Sequence, residues 1–119
     1  MMNCNEIWYV NFDPTIGNEI KKIRPAVIID DNYLASQFMR LVVPITTWRD
    51  KFASLPWIVQ IQPNSVNGLS NVSGFNIQQT RYLSTKRFQS KIGIVEDSTL
   101  IAIQKALIRF INPNLHKLL

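Results

Sequence analysis

The sequence predicts a mainly β, α+β fold: a small, strongly curved antiparallel barrel with a C-terminal helix. Two observations favour the barrel, namely several short runs of β-branched and aromatic residues and the Asn, Gly, Pro and Ser residues that separate them. A third predicts the helix, because apolar residues near the C-terminus recur at helical spacing. With 119 residues the chain is long enough to bury a core, and we expect residues 1–119 to form a single domain.

The first half of the chain predicts three strands. Ile7 to Phe12 and Ala26 to Ile29 are apolar runs, and a long charged loop with a proline and a glycine separates them. Phe38 to Thr46 is rich in β-branched residues and predicts the third strand. Trp48 to Pro56 is mixed and charged, which indicates a surface loop.

The second half predicts three further strands, separated by turns. Trp57 to Gln62 alternates apolar and polar residues, as a half-buried strand does. Pro63 to Gly74 is rich in turn residues and leads into a strand from Phe75 to Leu83. A single helical turn at Thr85 to Gln89 then precedes a short strand from Ile92 to Val95.

The last segment predicts an amphipathic helix that ends before Asn112-Pro113. Asp97 or Ser98 is expected to cap its N-terminus. Six apolar residues are expected to form its buried face: Leu100, Ile103, Leu107 and Ile111, broadened by Ile101 and Ile108.

The charge balance favours an anionic partner, because the net charge is +5 and the pI is near 9.7. The basic residues form three groups: Lys21, Lys22 and Arg24; Arg81, Lys86, Arg87 and Lys91; and, more loosely, Arg40, Arg49 and Lys51. No signal peptide and no apolar run of bilayer length is recognisable, so we expect a cytoplasmic protein without membrane association.

The inventory of reactive side chains is small. Cys4 is the only cysteine and His116 the only histidine, so a histidine acid–base pair within one chain and a clustered zinc site are excluded. His116 is expected to lie in a solvated tail, and Cys4 to be inert in a reducing compartment. We therefore expect no cofactor and no metal. RNA suits this inventory because it carries its own nucleophile, the 2′-hydroxyl.

Three stretches resemble the MazF/PemK toxins, the endoribonucleases of bacterial toxin–antitoxin pairs. They are EIWYVNFDPTIGNE followed by KKIRPAVII, the strand LVVPITT, and the block NGLSNVSGFNIQQTRYL. KIGIVEDSTLIAIQKALIRFI is similar to the family's last strand and closing helix. The resemblance implies an SH3-like barrel of the MazF/CcdB type.

The resemblance also implies an activity. It predicts metal-independent, ribosome-independent and sequence-specific cleavage of single-stranded mRNA, leaving a 2′,3′-cyclic phosphate and a 5′-hydroxyl. It implies a homodimer with RNA in a basic groove at the subunit interface, and an antitoxin whose acidic, flexible tail fills that groove. Trp8, Tyr9 and Phe12 are then expected to serve the core and the dimer face.

The catalytic roles implied by the resemblance fall on Arg24 of the IRPA motif and Thr46 of the PITT motif. An arginine fork donates two parallel hydrogen bonds to phosphate oxygens, and a threonine hydroxyl adds a neutral one. Glu19 is the nearest carboxylate in sequence. It either accepts the proton of the 2′-hydroxyl or holds Arg24 in place, and we favour the holding role.

The remaining candidates are expected to contact RNA: Asn18, Lys21, Lys22, Gln79 and Arg81. The histidine, arginine and aspartate proposed for the PemK branch are matched here by uncharged Asn18, Asn76 and Gln78, so that triad is absent and the Arg/Thr pair remains. Trp48 and Trp57 bracket the charged loop and are candidates for base stacking, although burial of at least one is expected.

Two rival interpretations remain at this level. One is a gyrase poison of the CcdB type, but that group relies on a Trp-Gly-Ile C-terminus whereas this chain ends in HKLL. The other is a noncatalytic barrel that binds RNA or protein.

Overall fold

The structure is a computed structural model that describes residues 2–112 and residue 114. Its strands are β1 (Glu6–Asn11), β2 (Ile23–Ile28), β3 (Met39–Thr47), β4 (Ile58–Ile61), β5 (Ser73–Asn76), β6 (Arg81–Ser84) and β7 (Phe88–Ile94). A single α-helix follows in the described part of the chain, α1 (Asp97–Ile111). Short 3-10 helices cover Asp50–Ser54, Ile77–Gln79 and Thr85–Arg87.

The strands form a strongly bent antiparallel sheet in the order β4-β5-β3-β2-β1-β7, and β6 pairs with β3 outside that path. β3 organises the sheet because its first half pairs with β6 and its last three residues pair with β5. β2 lies along its other edge. This architecture confirms the predicted barrel-like, mainly β fold with a C-terminal helix.

Two hydrophobic clusters cover the two faces of the sheet. Val27 and Val43 belong to one cluster, whereas their neighbours Ala26, Ile28 and Val42 belong to the other. A strand that is buried on both faces needs no alternation of polar and apolar residues. This explains the continuous apolar run in β2.

One predicted strand is divided. The segment expected to run as a strand from Phe75 to Leu83 is interrupted by a 3-10 turn, where the Thr80 hydroxyl donates to the Ile77 carbonyl at 2.6 Å. The turn frees the chain from β5 and returns it to β3 as β6.

The helix prediction needs two corrections. Its buried side is Ile103 with Leu100, Ala106 and Leu107 packed against the core, whereas Ile111, the last residue of the helix, is 73% exposed. Ile101 is also exposed.

The N-cap position of α1 is Glu96, and it makes no side-chain capping bond. The predicted cap, Asp97, is the first helical residue instead, and its carboxylate accepts a hydrogen bond from Asn5. Within the described residues, no helix is long and apolar enough to cross a membrane.

Candidate active site

Arg24 lies near the start of β2, immediately before Pro25, whose ring restricts the backbone. Its side chain is half-buried, and its Nε donates a hydrogen bond to the carbonyl oxygen of Lys21 at 3.0 Å. Across residues 2–112 and 114, no group bonds its two terminal nitrogens. The guanidinium is therefore oriented at one end and available at the other.

Thr46 lies on the adjacent strand. β2 and β3 pair Ala26 with Pro44, so two residues further along each strand Arg24 and Thr46 share one face of the sheet. Thr46 pairs with Gly74, whereas the next residue, Thr47, presents its side chain to the opposite face. Only Thr46 therefore shares a face with Arg24, although both threonines contribute to the lining of one pocket.

Arg24 and Thr46 also line a common pocket of about 200 Å³. Its other walls come from β1, from the ends of β3 and β7, and from the turn before β5: Tyr9, Ile23, Pro25, Ile45, Thr47, Gly68, Leu69, Ser70, Asn71, Ser73 and Ile92. The sequence-predicted pair is thereby brought together, although the two residues come from different strands.

The turn before β5 supplies one wall of the pocket. Asn67 is 2% exposed, its Oδ1 accepts from the amides of Asn64 and Leu69, and its Nδ2 donates to the Gln62 carbonyl at 2.9 Å. Gly68 has φ +69, and a Cβ there would lie 2.4 Å from the Ile92 oxygen. Sequence reasoning placed this turn but missed Asn67, for which the following glycine was the available signal.

Glu19 shapes the first loop rather than holding Arg24. Its Oε1 accepts a hydrogen bond from the Ile16 amide at 2.6 Å. In the described part of the chain it makes no ion pair with Arg24, and the Lys21 carbonyl takes the expected holding role instead. Glu19 also does not line the pocket.

Gln79 fastens this loop to the rest of the barrel. Its Oε1 accepts from the Ile20 amide at 3.2 Å, and its Nε2 donates to the carbonyl of Asn18 at 3.3 Å. Asn18 is exposed. Because both ends of the amide are engaged, Gln79 positions the loop.

The basic residues fall into anchored and free groups. Arg81 donates to the Phe12 carbonyl at 3.3 Å and lies over the Phe12 ring, while Arg87 donates to the carbonyls of Asn11 and Asp13. Both arginines brace the end of β1. Five lysine and arginine side chains are exposed near the loops instead: Lys21, Lys22, Arg49, Lys51 and Lys86.

Arg40 does not belong to any exposed basic group. It is 4% exposed, and its guanidinium bonds the side chain and carbonyl of Asp30, the Asn32 side chain and the Met2 carbonyl. It forms part of the wall of a cavity of about 520 Å³. Trp8 rather than Tyr9 lines that cavity, which places it on the other face of β1. The guanidinium of Arg40 is thus held by groups within the protein.

The two tryptophans of the charged segment differ. Trp57 packs against the core cluster next to α1. Trp48 lies at the end of β3, half-buried and edge-on to Phe52, with ring centroids 5.7 Å apart.

The positions of the PemK-branch triad lack charge in the structure as in the sequence. Asn18 and Gln78 are exposed, and the side-chain oxygen of Asn76 is buried without a partner among the described residues.

Residues 2–112 and 114 contain no group of three histidine, cysteine, aspartate or glutamate residues that could hold a metal ion. Burial raises the pKa of the Cys4 thiol, which disfavours its reactive thiolate form. His116 lies outside the described residues.

The protein is thus a small basic β-barrel whose bent antiparallel sheet presents an arginine and a threonine beside one pocket. The chain belongs to the family of PemK-like, MazF-like toxins of type II toxin–antitoxin systems, whose model matches residues 3–111.

Individual relatives agree with this assignment. The chain is 28% identical over 110 residues to Endoribonuclease MazF9 of Mycobacterium tuberculosis. The alignment covers 90% of this chain and 93% of that protein. Its fold is similar to crystalline MazF of Deinococcus radiodurans, with a TM-score of 0.75 at 19% identity, covering 92% of this chain and 94% of the other. A mycobacterial endoribonuclease in complex with its cognate antitoxin gives a TM-score of 0.69 at 17% identity, with coverages of 93% and 95%.

Proposed function

We propose that this protein is the endoribonuclease toxin of a toxin–antitoxin pair and cleaves single-stranded mRNA at a short sequence, independently of the ribosome. The single observation that carries the proposal is the placement of Arg24 and Thr46 on one face, beside one pocket. Family membership and the activity named for its relative support the same conclusion.

The proposed chemistry uses the substrate's own nucleophile. The 2′-hydroxyl attacks the adjacent phosphate, its oxygen forms the new P–O bond, and the bond to the 5′-oxygen breaks. Arg24 donates hydrogen bonds to the phosphate oxygens as negative charge grows on them, and Thr46 adds a neutral hydrogen bond. The products are a 2′,3′-cyclic phosphate and a 5′-hydroxyl, and no metal takes part. Glu19 remains the candidate acceptor for the proton of the 2′-hydroxyl, and solvent water protonates the departing 5′-oxygen.

The proposed RNA path follows the exposed cations. Lys21 and Lys22 flank Arg24 in the first loop and are available for phosphate contacts. Asn18 and Gln79 shape that loop, and Arg81 braces its base at Phe12. Gln79 and Arg81 already make hydrogen bonds within the protein, so they hold the RNA-contacting surface in position.

The proposed assembly is a cytoplasmic homodimer of a single domain, with RNA at the subunit interface. The proposed protein partner is an antitoxin with an acidic, flexible tail, for which a net charge of +5 is complementary. The complex formed by the structurally similar mycobacterial endoribonuclease supports this partner class.

A matched pair of RNA substrates tests the function. A single-stranded RNA that the protein cleaves is compared with the same strand carrying one 2′-deoxynucleotide on the 5′ side of the mapped cleavage site. We expect cleavage of the first with 5′-hydroxyl ends, and no cleavage of the second at that site. Cleavage of the deoxy-substituted strand, or 5′-phosphate ends, would overturn the proposed mechanism.

A further inference from the structure

We propose that Trp48 is a stacking platform for a nucleobase next to the scissile phosphate. This inference rests on the proposed function and names how the same site holds its RNA. The proposed ligand class is an unpaired base of a single strand.

Trp48 lies on the face that carries Thr46. The pairing of β3 with β5 ends at Thr47 and Ser73, and the Trp48 amide continues it by donating to the Val72 carbonyl at 2.9 Å. Since the chain is extended there, residues two apart share a face. Thr46 and Trp48 are therefore neighbours on the side of the sheet that also presents Arg24.

Gly74 lies beside the indole. It pairs with Thr46, and a Cβ at this position would be in ordinary van der Waals contact with the Trp48 ring at 3.4 and 3.7 Å, whereas it would clash with the Ile58 side chain at 2.6 Å. The ring therefore lies within contact distance of the residue that pairs with the threonine of the site.

The indole is held before any ligand arrives. Phe52, on the 3-10 helix Asp50–Ser54, meets it edge-on with an interplanar angle of 83°. The Lys51 ammonium lies 5.9 Å from the Phe52 ring centroid. A ring fixed by packing loses little freedom on binding, so base stacking on it retains most of its free energy.

The surroundings fit a nucleotide rather than an apolar peptide. Arg49 and Lys51 are exposed and lie on either side of Asp50 in the sequence. In the described part of the chain neither cation forms an ion pair. An aromatic face beside free cations is the arrangement with which proteins bind single-stranded nucleic acid, since the ring takes the base and the cations take the phosphates.

The test is a double-mutant cycle between the protein and the RNA. Binding is measured with a noncleavable strand, deoxy-substituted at the cleavage site, and with a series that carries one abasic site at each flanking position. The proteins are wild type, Trp48→Leu and Trp48→Phe. Tyr33→Leu is the matched control because Tyr33 is 98% exposed and lies beyond the opposite ends of β2 and β3.

We expect Trp48→Leu to weaken binding of the intact strand by about 5- to 100-fold, with Trp48→Phe intermediate and the control unchanged. One abasic position should weaken wild-type binding similarly and cost the leucine variant nothing further. Wild-type affinity in Trp48→Leu would overturn the inference, and so would a lower affinity with every abasic penalty intact. Thermal unfolding shows whether each variant is folded.

Failure of the proposed function gives a different pattern. If wild-type protein binds RNA without cleaving it, the cycle still decides the role of Trp48. If it binds no RNA, the stacking inference is overturned as well. If Trp48→Leu binds RNA normally but no longer binds an acidic antitoxin-tail peptide, the platform serves the protein partner instead.

Discussion

The Nε of Arg24 donates a hydrogen bond to the carbonyl oxygen of Lys21 at 3.0 Å. This contact orients the guanidinium. The first loop is closed by a second hydrogen bond, which the Phe12 amide donates to the Lys22 carbonyl at 2.9 Å. Arg24 and Thr46 both line one pocket, so this contact orients a side chain of the candidate site.

Cleavage is expected to persist in excess EDTA. In the proposed mechanism Arg24 and Thr46 stabilise the charge that develops on the phosphate oxygens, and the 2′-hydroxyl is the nucleophile. The measurement is the rate of RNA cleavage with EDTA and after magnesium is added back. Activity that disappears in EDTA and returns with magnesium would contradict the Arg/Thr mechanism.

RNA affinity is expected to fall steeply with salt, because the exposed lysines of the first loop neutralise phosphates. Lys21→Ala should weaken binding for all sequences and reduce the slope of log K against log salt by about 1. Lys105→Ala is the control, since Lys105 is exposed on α1. The slope is measured between roughly 50 and 200 mM salt. If Lys21→Ala and Lys105→Ala gave equal slopes, Lys21 would not contact phosphate and the RNA would bind elsewhere.

Asn67→Ala is expected to lower both stability and the cleavage rate. It removes the buried side chain that joins Asn64, Leu69 and Gln62, and it takes a hydrogen-bond partner from three backbone groups. The expected loss of stability is about 1–3 kcal/mol. Denaturant unfolding measures it, and single-turnover cleavage reports the effect on the pocket wall. Ser65→Ala, an exposed change in the same turn, should leave both unchanged. An Asn67→Ala protein of native rate would show that the turn does not position the site.

The acid stability of the fold is expected to depend on Glu6. Burial raises the pKa of its carboxyl. Hydrogen bonds from the Asn3 amide and the Trp8 indole, together with the ion pair to Lys91, lower the pKa by more than burial raises it, so the pKa lies below its usual value. A depressed folded-state pKa contributes stability above the unfolded value, which is lost as pH falls through the folded value.

Glu6→Gln should therefore be less stable than wild type at neutral pH, by about 1–3 kcal/mol, and the difference should shrink in acid. Denaturant unfolding across the pH range below about 5 measures this. A difference that stays constant with pH would assign the loss to shape rather than to charge.

Much of the fold follows from local sequence. The alternation and β-branched content of the strands, and the helical spacing of Leu100, Ile103 and Leu107, predict elements that the structure contains. The division of the Phe75 to Leu83 strand was not predicted, because a threonine hydroxyl bonding a backbone carbonyl leaves no periodic signal.

The site was predictable only in part. Arg24 and Thr46 were identified through the family resemblance, but their common face depends on the β2–β3 register, which is a long-range property. Gly74 was assigned to a turn, whereas it lies in β5, where a Cβ would clash with the Ile58 side chain. Glu19 was expected at the site as the nearest carboxylate in sequence, and Gln79 through the family resemblance. The hydrogen bonds by which they hold the first loop are visible only in three dimensions.

The most direct test is single-turnover cleavage of a cognate RNA at saturating protein by folded, dimeric Arg24→Lys and Arg24→Ala variants. Lysine keeps the charge but loses both the Nε tether to Lys21 and the planar fork, so both variants should be slower by about 10²–10³-fold. Their thermal unfolding should stay close to wild type, because Arg24 is only half-buried. Native rates in both variants would contradict a catalytic Arg24 and leave Glu19 as the next candidate. Weaker binding with an unchanged rate at saturation would make Arg24 a ground-state phosphate clamp.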